Sequence, residues 1–490
     1  MKKTFLIALI ILFNYSFSFA DTEVSGLITE DTTWTKENSP YIILGKVGVD
    51  YQVTLTIEPG VQVKSGAGQD YYIKVMGKII AVGTETNLIS FTVLEENQSE
   101  YPQHGVEFDT NKEGYRSWEG SRFEWCEFSG QYYCGIHSQI AFNSEEPLLT
   151  VGNCKFSNIG GSGIWFQIHS LIRDSYFTNC GKSYVDPDCI VTNNGAVIEN
   201  NIIENNYGSG ISGSDGIISG NIIINNKGSG ITASNTDIFN NVVINNGENG
   251  ILCSESTLTY NIIINNGKGV RCSDSTLTHN LIGNNSIGIN GCANVVNYNN
   301  LIGNKEYNYE VTEYKPYAPQ YSECSDTDAT NNWWGTAKEN EIAQSIYDYY
   351  DDFELYEVIY TPWLTEPDPN VPTTTSSSST SSTTTSVIIT TTTSFLLTTT
   401  STINSSTTTS TSPQPCISES LYGENSAETE FLRYISDNVL STTPEGQEII
   451  RLYYEWSPII VNAMEEDAAF KAQVKEMIDE VVDLIGRELQ

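Results

Sequence analysis

The phrase NIIINN occupies residues 221–226 and returns at 261–266, with NVVINN at 241–246 between them. Aligned on this phrase, Asn201, Asn221, Asn241, Asn261, Asn280 and Asn300 fall in one column at intervals of 20, 20, 20, 19 and 20 residues. A second column runs Asn206, Asn226, Asn246, Asn266, Asn285, and a third Gly210, Gly230, Gly250, Gly269, Gly288, each glycine followed by Ile or Val. Repeats of this length signal a solenoid, because one unit is too small to bury a core alone. Within each unit the pattern is three short β-runs separated by Asn, Gly and Ser turns, with no helical period. Stacked coils would then form parallel sheets spaced about 4.8 Å apart. In such a stack an inward asparagine can hydrogen-bond its counterpart in the next coil, so the first column is predicted to be a structural ladder. It extends upstream through Cys126, Cys154 and Ser175 at longer spacings, which implies loops inserted into those coils.

The repeat also fixes facing. With Asn221 and Ile223 inward, Ile222 and Ile224 point out, as do Val242, Ile244, Ile262 and Ile264, with Ile202, Leu281 and Leu301 extending the row. A strand apolar on both sides is normally covered on both. The expected cover is the segment holding Tyr307, Tyr309, Tyr314, Tyr317 and Tyr321, the C-terminal region, or a second copy of the chain in a homo-oligomer.

The chain opens with Lys2 and Lys3, an apolar run and small residues at Ser18 and Ala20, the pattern of a signal peptide ending near residue 20. Export to the extracellular space, cell surface or periplasm of a bacterium is expected. No later run is long enough for a transmembrane segment. The chain has 24 basic residues, two of them in the leader, against 61 acidic ones, a net charge of −37. Such a surface repels nucleic acid. The ten cysteines show no Cys-x-x-Cys metal spacing and read as small buried core residues with one or two disulfides.

Upstream of the repeats stands TWTKENSPYIILGKVGVDYQVTLTIEPGVQVK, then IKVMGKIIAVGT; downstream stand Asn332-Trp333-Trp334-Gly335-Thr336 and SIYDYYDDFELYEVIYTPWL. On these segments the chain resembles the right-handed parallel β-helix (pectin-lyase-like) superfamily. The resemblance implies an all-β solenoid of about ten coils, with an N-terminal cap and first coils over 21–100, a body over 101–304 and a last coil with C-terminal cap over 305–366. In the cap, the aromatics are expected to close the solenoid and the acids to face water. The superfamily includes polysaccharide lyases, polygalacturonases and non-catalytic surface proteins, so the fold does not choose an activity. Residues 367–415 are a Ser/Thr/Pro-rich linker, unable to build a core and open to O-glycosylation. Residues 416–490 read as a small acidic helical domain in which Ser426 can cap a helix. The order Cys416, Tyr422-Gly423, Leu432-Arg433, Asp437, Tyr453-Tyr454 is similar to the CFI-box C-terminal family, with ISESL following the cysteine in place of that family's usual residues.

Lyases on this scaffold need carboxylates holding calcium and a basic residue; hydrolases need clustered acids. On the strand after the glycine column the outward row begins His137, Trp165, Val191, with Gln167 two residues further on. An inserted loop beside them carries Tyr184, Asp186 and Asp188. An aromatic platform next to polar groups suits a sugar ring, and these six are the candidate ligand-binding residues. The alternative is a Trp packed under a turn-forming loop. Glu255 and Asp274, one coil apart and near Lys268 and Arg271, are a candidate calcium pair, against the plainer reading of solvent turns. No set of acids stands with a positioned base. The expected function is therefore non-catalytic binding of a glycan or cell-surface partner by a rigid scaffold. A lyase or hydrolase working through the His137, Trp165, Asp186, Asp188 region, and a spacer whose specificity lies in 416–490, are the alternatives.

Overall fold

The computed structural model describes residues 21–66, 71–94, 104–142, 147–182, 187–312, 324–376 and 387–390, with Leu421, Tyr422, Ser426, Thr429, Lys471 and Lys475. Residues 1–399 form one compact unit and 400–490 another. In the first unit the chain winds through three faces, each a stack of parallel strands. Among the described residues the first face holds fourteen strands, from Thr32–Trp34 to Val358–Ile359. The second face runs from Gln62–Ser65 through Ile222–Ile224 to Asn300–Ile302. The third runs from Ile73–Val75 through Ile231–Ser234 to Ile346–Tyr347. Strand Tyr41–Val49 joins the last two, pairing Tyr41 to Ile43 with one and Val47 to Val49 with the other.

The corners explain the doubled asparagines. At each corner one residue adopts a left-handed conformation and the next turns its side chain into the solenoid. At the first corner the left-handed residues include Asn200, Gly220, Asn240, Tyr260, His279 and Tyr298; at the second, Asn205, Asn225, Asn245, Asn265 and Asn284. Asparagine tolerates that conformation better than other side chains bearing a Cβ. The residue after it builds the ladder. Both the backbone N–H and Nδ2 of Asn201 donate to Oδ1 of Asn221, at 2.9 and 3.0 Å. The pattern repeats from Asn221 to Asn241, Asn241 to Asn261 and Asn261 to Asn280. A second ladder climbs from Asn206 to Asn304. A third, lighter one uses hydroxyls: the Thr236 and Ser256 N–H groups donate to Ser256 and Ser275 Oγ, and the Ser275 N–H to Asn294.

Asn300 is not a rung. The Asn280 amide donates to Asn299, and Asn299 to Asn332, because the coil ending at left-handed Tyr298 is 19 residues long and shifts the column by one. Asn300 sits opposite Leu281 and exchanges hydrogen bonds with the Asp368 backbone. The same shift turns Leu301 into the core beside Ile282.

Between the ladders the interior is apolar. On the second face Phe91, Phe128, Phe156 and Phe177 stack at 4.6–4.9 Å, and Ile203, Ile223, Val243, Ile263 and Ile282 continue the column, all buried. On the outer side of that face Val242, Ile244, Ile262 and Ile264 form a separate buried cluster, with Ile222, Ile224 and Leu281 packed against it. Tyr309, expected over this stripe, is instead fully buried inside the solenoid, where its hydroxyl meets Asn294 and Thr327. Tyr314, Tyr317 and Tyr321 lie outside the described residues.

Helix Glu339–Gln344, through Ile342, and the Trp334 side chain pack against the bottom of the core. In the acidic segment Tyr356, Tyr360 and Trp363 pack against the core as expected, but other residues differ. Tyr350 and Phe353 are 76% and 78% exposed, while Asp348 is buried and its carboxylate accepts the Tyr350 and Val358 N–H groups. A short carboxylate can cap a tight turn from inside; a bulky ring cannot. Among the described residues one disulfide joins Cys292 to Cys324, and the other cysteines are buried free thiols. In the second unit Leu421, Tyr422, Thr429, Lys471 and Lys475 are helical, and Ser426 Oγ accepts the Thr429 N–H at 3.0 Å, the geometry of a helix cap. Among the described residues no helix is long and apolar enough to cross a membrane.

Candidate functional site

Register on the third face sets Lys74, Glu107, His137, Trp165 and Val191 in one row, each beside its neighbour in the next coil. The strands alternate, so Ile136 and Ile164 fill the core and the row stands on the outer side. His137 and Trp165 do come together, with rings stacked 4.8 Å apart. His137 is not an open platform, however: it is 1% exposed. His104 stacks on its other side at 4.5 Å, and Tyr133 meets it edge-on at 5.8 Å. Tyr72 closes on the His104 edge at 5.7 Å.

Enclosure determines the electrostatics of this nest. Burial pushes His104 down to about 4. Burial, and then the neighbouring His104, push His137 down to about 3 against the pull of Asp109. Both imidazoles are therefore neutral across the physiological range, and a neutral imidazole carries one donor and one acceptor. Yet among the described residues His104 Nδ1 and both ring nitrogens of His137 have no hydrogen-bond partner. The nearest carboxylate oxygen, Glu107 Oε1, stands 3.9 Å from His137 Nδ1, too far to bond. Around them Lys74 pairs with Asp109, and Lys46 lies 5.1 Å over the Tyr72 ring. Burial raises Tyr72 to about 12; the nearby Lys46 lowers it and the nearby Glu107 raises it.

The other candidates fare differently. Gln167 is on the Trp165 strand and half-buried, and its backbone carbonyl accepts Asn194 Nδ2 at 2.8 Å. Asp188 accepts the Ser209 N–H at 2.8 Å, so its carboxylate is engaged in holding the next coil. Tyr184 and Asp186 lie outside the described residues. Tyr72, His104, Glu107 and Tyr133 escaped the sequence reading, although a signal was present. Gly105-Val106, Gly135-Ile136 and Gly163-Ile164 repeat the glycine column upstream and place Glu107 in register with His137.

Glu255 and Asp274 occupy the third corner, both exposed and left-handed, each followed by a ladder serine. Their spacing is thus explained by the turn. Lys268 points to Asn290 and Glu310. A shallow groove beside this corner is lined by Asp215, Asn235, Asp237, Glu255 and His169, with Asn235 bonded to Asp215 at 2.8 Å. Among the described residues no three His, Cys, Asp or Glu side chains are grouped to hold a metal ion.

The family described as "Right handed beta helix region" matches residues 104–257. No curated protein matches the chain. Among solved structures, the Dettilon tailspike protein gp208 is similar at 16% identity and a TM-score of 0.35, over 55% of this chain and 62% of that one, so this chain spans less than two thirds of it. The A-module of the Azotobacter vinelandii mannuronan C-5 epimerase AlgE4 is similar at 14% identity and a TM-score of 0.36, over 72% of this chain and 91% of that one. The periplasmic alginate epimerase AlgG is similar at 14% identity and a TM-score of 0.38, over 65% of this chain and 77% of that one. The three stacked faces and the family match agree on one architecture, a right-handed parallel β-helix.

Proposed function

We propose that this right-handed parallel β-helix is an exported or cell-surface protein that binds a glycan on the third face of its upper coils, with the lower coils as a rigid support. The supporting observation is the stack of His104, His137 and Trp165 with three imidazole nitrogens left unpartnered. A buried polar atom without a partner costs about 1–3 kcal/mol, and a ligand hydroxyl that displaces the covering rings and meets it recovers that cost on binding. Sugar hydroxyls both donate and accept, which matches neutral imidazoles. The partly buried Trp165 offers apolar surface alongside. Charge favours a neutral sugar: the net charge is −37, and near the nest Lys46 and Lys74 are offset by Glu107 and Asp109.

A second reading, a lyase or hydrolase at the same place, is favoured by Tyr72, a hydroxyl kept protonated beside Glu107 and Lys46. Calorimetry of the full chain against neutral and acidic oligosaccharides tests the first. Trp165→Ala and His137→Ala should each weaken a neutral ligand at least about tenfold. Unchanged affinity in both, or binding held entirely by residues 416–490, overturns it. Sustained release of reducing or unsaturated ends, abolished in Tyr72→Phe and Glu107→Gln, replaces binding with catalysis.

A further inference from the structure

We propose that six cysteines inside the solenoid form three disulfide sites, Cys126–Cys154, Cys180–Cys189 and Cys253–Cys272, closed by thiol–disulfide exchange with a small-molecule disulfide as the coils stack. The inference rests on the exported reading, since only an oxidising compartment supplies that reagent.

Register brings the partners together. Cys253 and Cys272 are directly opposite each other on parallel strands of the third face, their side chains in the core. Neighbouring parallel strands lie about 4.8 Å apart, inside the Cα separation of roughly 4.4–6.8 Å that a disulfide spans. Cys126 and Cys154 precede the paired residues Glu127 and Lys155, in the same first-corner column as Ser175 and Asn201. Cys180 is a rung of the second-corner ladder, its N–H donating to Asn206. Cys189 stands one coil above Gly210, in the glycine column that runs alongside that ladder. Cys180 and Cys189 also bracket the inserted segment 181–188, so this bridge would tie the base of the insertion. All six are free thiols in the structure, and in each pair they lie close enough that the partner thiol raises Cys126, Cys189 or Cys272.

Timing follows from burial. Desolvation raises Cys126 and Cys189 well above the thiol range, and the neighbouring Cys253 thiol, then desolvation, does the same for Cys272. A thiol held protonated is a poor nucleophile, so exchange precedes closure of the coil. One thiolate attacks the reagent, such as oxidised glutathione, giving a mixed disulfide and one free glutathione. The second cysteine thiolate then attacks the protein sulfur and expels the other glutathione. Two protons and two electrons leave the pair, and the reagent carries them off as two thiols.

The test is a peptide map of the full chain secreted into an oxidising compartment, alkylated in denaturant without reductant, on preparations in which Cys292–Cys324 is formed. Three cross-linked peptides, each lighter by two hydrogens, are expected. Full alkylation of the six cysteines beside an intact Cys292–Cys324 bridge overturns the inference, as does any other pairing among them. In Cys272→Ala, Cys253 should become alkylated while the other two links persist; a Cys253 that finds a different partner also overturns it. The same map on protein from its own host reads export separately, because links formed only in the secretion system would uphold the geometry and refute the location.

Discussion

Replacing Asn241 with alanine removes the acceptor for two donors of Asn221, its N–H at 2.9 Å and its Nδ2 at 3.0 Å. Nδ2 keeps the Ile198 and Ser219 carbonyls, but no other hydrogen bond is available to the N–H of the fully buried Asn221. Stranding that N–H costs about 1–3 kcal/mol. The lost bonds from Asn241 Nδ2 to the Ile218 and Phe239 carbonyls, at 2.8 and 3.1 Å, bring the expected loss to roughly 3 kcal/mol. Asn240→Ala is the control. It lies one residue away in the left-handed corner position, and the same truncation there costs about 1 kcal/mol of backbone preference. Amide hydrogen exchange is the appropriate assay, because a long solenoid need not unfold in one step and exchange reads opening locally. Asn221 should lose protection in Asn241→Ala and keep most of it in Asn240→Ala. Equal protection in the two variants would refute the account of the ladder.

Three further outcomes follow. His104 and His137 are neutral in the fold down to about 4 and 3, whereas unfolded they take up a proton near 6.5. Their contribution to stability is therefore complete above 6.5 and lost as pH falls through 6 to 4, at up to about 1.4 kcal/mol per pH unit each. Denaturation across that range should show a shallower slope in His104→Phe/His137→Phe than in the wild type; an identical slope means the rings titrate normally. Ile222→Asp with Ile262→Asp puts carboxylates into the outer apolar cluster, where Ile262 is 1% exposed, and should cost several kcal/mol in urea titration. A fully folded, unchanged protein would show that the cluster is solvated. Asp188→Ala should raise exchange at the Ser209 amide, which loses its carboxylate partner, and leave ligand affinity within about twofold.

The architecture was legible because it is written many times over. Asn221, Asn241 and Asn261 recur at one spacing, and a buried amide that recurs has few explanations besides a ladder. The error at Asn300 shows the limit of that logic: with Asn299 and Asn300 adjacent, the letters allow either, and only the left-handed corner at Tyr298 decides. Glu255 and Asp274 illustrate a related ambiguity. Acidic residues one coil apart look like a cation site, yet the position demands a backbone conformation first. The nest was half legible. His137 and Trp165 fall in one row by counting glycines, but His104 joins them from the start of its strand, Tyr133 from a bend, and Tyr72 from a bend in a coil that lacks the repeat phrase. Rings that meet from positions off the repeated row leave no periodic trace in the sequence.

The corner arrangement bears on the history of the chain. Every rung accepts from the coil above and donates to the coil below with the same atoms, so any 20-residue unit between Asn201 and Asn261 is interchangeable with its neighbour. Duplicating one would leave each junction chemically as it was and lengthen the rod by about 4.8 Å. Gene-level copying of this segment thus changes reach without disturbing the nest at one end or the closing helix at the other. The distance between those ends is a quantity evolution can adjust in whole steps.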